Sequence, residues 1–334
     1  MMRTEVETMK TGEGVPAARH RRPFAWLLPF TLLAGVVSGS TPAHATFPGA
    51  SGSIAFMKVV GNGTQQLFTI EPDGGNEQQL TDFPTASIES PEWSPDGSKI
   101  AFDTDLGGNV HIYIVNADGS GLTQITRGDG SEFAPGWSPD GTKMVIDAAE
   151  PGLPEGLFII DLATGALTRV TVNPYGIFDN EPQYSPDGTR IMFTRIKKFQ
   201  PHFHGGQTAV FVVNVDGSNL RQLTPWGMDA AESDWSPDGS KIVFNDADER
   251  IKTASIYVMN ADGTRVTKIT HDENEGSFRP CWSPQGDQIV FTRIGFGPHG
   301  GPFDLYTMNP DGTDITALTQ TPDFENQADW GSHP

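Results

Sequence analysis

Cysteine is nearly missing from this chain: Cys281 stands alone in 334 residues. No intrachain disulfide can form, so the fold must stand on its own core, with Cys281 read as a small buried hydrophobe beside Trp282. Basic residues are scarce as well, with 22 Lys and Arg against 42 Asp and Glu and a net charge of −20. Such a field repels nucleic-acid phosphates and anionic headgroups, and favours cations, basic partners or plain solubility. There is no Gly-x-Ser-x-Gly elbow, no His-Glu-x-x-His pair, no Cys-x-x-Cys and no phosphate loop, which removes the commonest hydrolase, zinc, redox and nucleotide chemistries. Long apolar runs are also lacking. The stretch Phe24 to Val37 is shorter than the roughly 20 residues a membrane crossing needs, and Pro29 interrupts it.

That stretch fits an export signal instead. Arg19, Arg21 and Arg22 precede it and Ala43-His44-Ala45 follows as a small-x-small cleavage site, so residues 1–45 read as a signal peptide cut after Ala45, leaving 46–334 as the mature protein. Arg21-Arg22-Pro23-Phe24 also resembles a twin-arginine signal, and the export route stays open. Removing five Lys/Arg and three Asp/Glu takes the net charge to −22. The expected location is extracytoplasmic, periplasmic or secreted, without membrane insertion after cleavage.

What is present is a repeat. Trp93, Trp137, Tyr184 and Trp235 each open Ser-Pro-Asp-Gly, Trp282 opens Ser-Pro-Gln-Gly, and Trp330 is a sixth anchor, at spacings of 44, 47, 51, 47 and 48 residues. Periods of this size indicate propellers or solenoids. Each unit continues with a second strand (Ile100-Ala-Phe102, Met144-Val-Ile146, Ile191-Met-Phe193, Ile242-Val-Phe244, Ile289-Val-Phe291) whose alternation predicts half-buried β structure. Third strands such as His111–Val115, Val210–Val213, Ile256–Met259 and Leu305–Met308 follow, most of them running into Asn-x-Asp-Gly turns. Fourth strands are expected to end at Thr81, Thr126, Thr171, Thr224, Thr270 and Thr319.

These motifs resemble the WD-like repeat of the TolB carboxy-terminal propeller, over essentially all of residues 52–334. The resemblance implies an all-β, six-bladed β-propeller with four antiparallel strands per blade. Its ends should close on each other: Trp330 is an inner-strand anchor with nothing after it, and Gly52–Phe56 is a second strand with no anchor before it. Residues near 328–331 are therefore expected to complete the blade formed by 53–81. Only Thr46–Ser51 separates the cleavage site from that strand, so the expectation is a propeller without the globular domain that precedes it in TolB.

Four strands per blade put the loops between second and third strands, and the segments between blades, on one face. The between-blade segments carry Glu132, Asp179, Glu181, Asp229, Glu232, Asp272, Glu273, Glu275, Asp323 and Glu325. These could ring the channel mouth and take a metal ion or a basic peptide group, or accept backbone amides in the loops themselves. Two long loops share Thr-Arg-Ile and Pro-His before paired glycines. Their His202, His204 and His299, in the fourth and sixth blades, could converge on a divalent transition metal. Their arginines, Arg195 and Arg293, could close salt bridges to the loop acids. Asn245–Glu249 offers oxygen ligands but lacks the complete EF-hand pattern, and reads as a solvated acidic loop.

The function expected from this reading is an exported binding or scaffolding propeller that takes a protein, peptide or glycan on its acidic loop face, without nucleic acid and consistent with a monomer. The ligand-binding candidates are Glu132, Asp179, Glu181, Arg195, Asp272, Glu275, Arg293 and Glu325. The alternative is a metal-supported enzyme resembling oligogalacturonate lyases, which use a related propeller.

Overall fold

The computed structural model describes residues 49–149, 155–197, 207–246, 254–271, 275–295 and 303–333. Twenty-four strands form six four-stranded antiparallel sheets. The first blade holds β1 (Ser51–Val59), β2 (Gln65–Ile70) and β3 (Gln78–Gln79). The second runs β4 (Ile88–Trp93), β5 (Lys99–Thr104), β6 (His111–Asn116) and β7 (Thr123–Gln124). The third comprises β8 (Ser131–Trp137), β9 (Lys143–Ala149), β10 (Gly156–Asp161) and β11 (Leu167–Arg169). In the fourth lie β12 (Ile177–Tyr184), β13 (Arg190–Lys197), β14 (Gln207–Asn214) and β15 (Arg221–Gln222). The fifth has β16 (Ala230–Trp235), β17 (Lys241–Asp246), β18 (Ile256–Asn260) and β19 (Thr267–Lys268). The sixth has β20 (Glu275–Trp282), β21 (Ile289–Gly295), β22 (Phe303–Met308) and β23 (Thr316–Ala317).

The last strand, β24 (Glu325–Ser332), returns to the first blade as its inner strand. It pairs antiparallel with β1, Ile54 opposite Trp330 and Ser51 opposite Ser332, and His333 N donates to Ala50 O at 2.8 Å. The closure expected near 328–331 is therefore present and longer than expected, and it gives the first blade the same four strands as the other five.

Local chemistry explains the repeat. In the second blade Ser94 Oγ donates to Asp96 Oδ1 at 2.7 Å, the same oxygen accepts Ser98 N at 3.0 Å, and Lys99 N donates to Ser94 Oγ. Gly97 takes the left-handed φ of 66° that the tight return requires. Where the sixth blade has Gln285 in place of that aspartate, Asp287 accepts the serine hydroxyl instead, at 2.8 Å.

Two expectations need correction. The second strands are not half-buried: Ile100, Ala101, Phe102, Asp103 and Thr104 are all buried, because each blade is sandwiched between two others and has no solvent face. Accordingly, the apolar clusters lie between neighbouring blades. One joins Ala55, Met57 and Leu67 of the first blade to Trp93, Phe102 and Tyr113 of the second, and another packs Cys281 and Val290 against Ile54 and Trp330. The fourth strands also stop two residues before each expected threonine. There the threonine hydroxyl replaces the backbone as acceptor for the third strand: Leu67 N to Thr81 Oγ1, Ile112 N to Thr126, Leu157 N to Thr171, Val210 N to Thr224, Ile256 N to Thr270 and Leu305 N to Thr319, at 2.8–3.0 Å.

Candidate binding face and central channel

The inner strands β4, β8, β12, β16, β20 and β24 run from the loop face down the central channel to their aromatic anchors. Each carries a β-bulge at the same level. The residue three before each anchor is Ser90, Ala134, Glu181, Glu232, Arg279 or Gln327, all non-glycine and all at φ between +47° and +55°. Left-handed backbone at an ordinary residue costs about 1 kcal/mol, and cross-blade bonds hold it. Ser90 N donates to Gln327 Oε1, Glu232 N to Thr194 Oγ1 and Arg279 N to Asn245 Oδ1. Proline follows the bulge at Pro91, Pro135, Pro182 and Pro280, where a channel-facing edge has no ladder partner for an N–H to lose.

In four of the six blades the residue just before the anchor reaches the next blade. Asp329 Oδ2 accepts Trp93 N at 2.6 Å, Glu92 Oε1 accepts Trp137 N at 3.0 Å, Asp234 Oδ2 accepts Trp282 N at 2.7 Å, and Cys281 Sγ lies 3.5 Å from Trp330 N. Burial pushes the Glu92 carboxyl far up, with Asp329 and Asp234 adding repulsion. Burial likewise raises Asp329, to about 6, against the lowering effect of the Trp93 amide. Behind this ring, burial and then Glu89 lift Asp103 to about 7, while burial and then Glu155 lift Asp147 to about 8.

The expected loop acids sit mostly inside the inner strands rather than in connectors, and most of those described meet a basic side chain. Glu132 Oε2 lies 2.8 Å from His111 Nδ1 of the preceding blade, both residues buried. Arg195 Nε donates to Asp179 Oδ1 at 2.6 Å, and its terminal nitrogen NH2 donates to Asp179 Oδ2 at 2.8 Å and to Asn173 Oδ1 at 2.9 Å. Glu325, fully buried, accepts Lys58 Nζ at 3.1 Å, and Lys58 also meets Glu77 and Asp323. Arg293 pairs with Glu275. Arg279 lies 3.0 Å from Glu232 and 3.8 Å from Glu181. Asp229 closes the short 3-10 turn Trp226–Met228.

The structure thus brings Glu181, Glu232 and Arg279 together in the channel. It places Glu132, Asp179 with Arg195, Glu275 with Arg293, and Glu325 in separate pairs around it. Asn245 and Asp246 serve the fold, Asp246 Oδ1 accepting Ser255 N and Oδ2 accepting the Tyr257 hydroxyl. His202, His204, His299, Asp272 and Glu273 lie outside the described residues, as does the signal segment 1–45. Among the described residues no three His, Cys, Asp or Glu converge to hold a metal ion. Sequence reading missed Arg279, Glu92, Asp234 and Asp329. Their signal was positional, at fixed offsets before the anchor aromatic.

Residues 197–331 match the family described as "TolB beta propeller domain". The chain is 30% identical over 228 residues to the "Tol-Pal system protein TolB" of Francisella tularensis subsp. holarctica, an alignment covering 68% of this chain and 50% of the relative. The chain spans about half the length of the curated TolB relatives it matches. Among solved structures, TolB from Acinetobacter baumannii superposes with a TM-score of 0.67 at 23% identity, over 84% of this chain and 67% of that one. An oligogalacturonate lyase in complex with manganese gives 0.54 at 20% identity, over 82% and 75%. Likeness at these identities shows the fold alone. Residues 51–332 thus form a six-bladed β-propeller, of which 197–331 match the TolB propeller family.

Proposed function

We propose that the propeller is an exported binding module that takes a protein partner on its loop face. One observation carries the reading. The connector entering the fourth blade presents Tyr175 fully exposed and Val172 at 76% exposure. Between them Asn173 is buried and accepts Arg195, whose guanidinium is clamped by Asp179 and lies over the rings of Phe193 and Phe211. An aromatic and an aliphatic side chain in solvent, on a connector pinned by a buried ion pair, are the preorganised apolar anchors on which protein interfaces concentrate their energy. The Asp179–Arg195 pair beside Asn173 gives that patch a polar border. A relative named for the Tol-Pal system supports protein partnership, and the cationic, apolar and small-residue succession in residues 1–45 supports export.

The test places a photo-crosslinking phenylalanine analogue at Tyr175, or at Leu122 near the opposite face, in cells that make the protein. A discrete adduct from position 175 and none from 122 is the expected result. Equal labelling at the two sites, or none at 175, would overturn the reading.

A further inference from the structure

The channel widens between the bulges and the anchors into a cavity of about 120 Å³, walled by all six inner strands. Among the residues lining it, Glu92, Glu181, Glu232, Asp234 and Asp329 are acids and Arg279 is the single cation. Arg279 is already engaged by Glu232 and Glu181. The side chains of Glu181 and Arg279 keep 28% and 29% of their surface exposed, which marks the open end of the cavity, toward the loop face. An independent feature sits in the same wall: Ser233 lines the cavity, is 7% exposed, and its hydroxyl has no partner within the protein.

We propose that this cavity receives the guanidinium of an arginine side chain that the partner inserts from the loop face. The inference rests on that face being the docking surface. Its support is charge complementarity together with geometry. The acids come from four different blades and no three converge on a point, so a compact metal ion cannot satisfy them. A planar cation with five N–H donors spread over its fork can reach several at once, and a rotation about the Ser233 Cα–Cβ bond would turn that unpartnered hydroxyl to the cavity as a further acceptor. The carboxylates are preorganised: Glu92, Asp234 and Asp329 are each held by an anchor amide of the neighbouring blade. Those buried acids are costly to ionise alone, and a cation arriving among them supplies the missing counter-charge.

The experiment titrates the mature propeller with the capped peptide Gly-Gly-Arg-Gly-Gly and with its citrulline and lysine counterparts, by calorimetry. Citrulline keeps the planar shape while removing the charge and replacing one NH2 donor of the fork by an accepting oxygen. Binding of the arginine peptide at least tenfold tighter than either counterpart is expected, with at least a fivefold loss in Glu92→Gln, which retains an acceptor for the Trp137 amide. Should that variant not fold, Ser233→Ala serves, with a smaller loss expected. Equal binding of the citrulline peptide, tighter binding of the lysine peptide, or full affinity in the folded variants would overturn the proposal. A crosslink at Tyr175 with no arginine preference would sink this inference and leave the docking face standing.

Discussion

Asp103 and Asp147 give the structure a pH signature. Both sit on second strands between blades, Asp103 at 3% exposure with Oδ1 unmatched. Burial, then Glu89, lifts Asp103 from an ordinary 3.8 to about 7, and burial, then Glu155, lifts Asp147 to about 8. A group whose folded value lies above its unfolded value binds more protons in the native state. Its stabilisation is complete below about pH 4 and drains away as pH rises through 7 to 8. For Asp103 the gap corresponds to on the order of 4 kcal/mol as an upper bound. Asp103→Asn keeps a carbonyl oxygen for the Ala134 amide and removes the titration. Its melting temperature relative to the natural protein should be near zero at about pH 4, already positive at pH 5, and higher by several degrees more at pH 8.5, taking about 2 °C per kcal/mol for a domain of this size. The assay is a thermal melt of both proteins across pH 4 to 9, with Asp147→Asn alongside. Parallel pH profiles for variant and natural protein would refute the argument that these carboxyls are held protonated by burial.

Ending the chain after Asn326 removes most of β24, including Trp330, and should abolish cooperative unfolding of the whole propeller rather than of one blade, as seen by circular dichroism; an unchanged midpoint would reassign the inner strand. Elemental analysis of protein purified without chelator tests the histidine loops. If His202, His204 and His299 hold a transition metal, it will be near stoichiometric and lost when all three are replaced by Ala, whereas retention in that variant would place it elsewhere.

Much of the architecture was legible because turns and anchors repeat at fixed offsets. Trp93 to Trp330 counted the blades, and the unmatched Gly52–Phe56 and Trp330 located the closure. The burial of Asp103 was not legible, because alternation assumes a strand with one wet face and a propeller's middle strands have none. The fate of the acids was half legible: Arg195 and Arg293 were recognised as possible counter-charges, but the His111–Glu132 and Lys58–Glu325 pairs depend on how strands and blades sit side by side. The bulge was hidden altogether. Left-handed positions are usually sought as glycine, and here they are Ser90, Ala134, Glu181, Glu232, Arg279 and Gln327.

That concealed ring has a consequence for how such a protein diversifies. Each left-handed bulge already carries a side chain rather than demanding glycine, so six sites facing one cavity present serine, alanine, glutamate, arginine and glutamine on one repeated frame. They behave as a set of keys on one lock, and a combinatorial library confined to those six codons would explore new specificities, with Gln327 varied together with Ser90, whose amide it holds, and Arg279 together with Glu181 and Glu232.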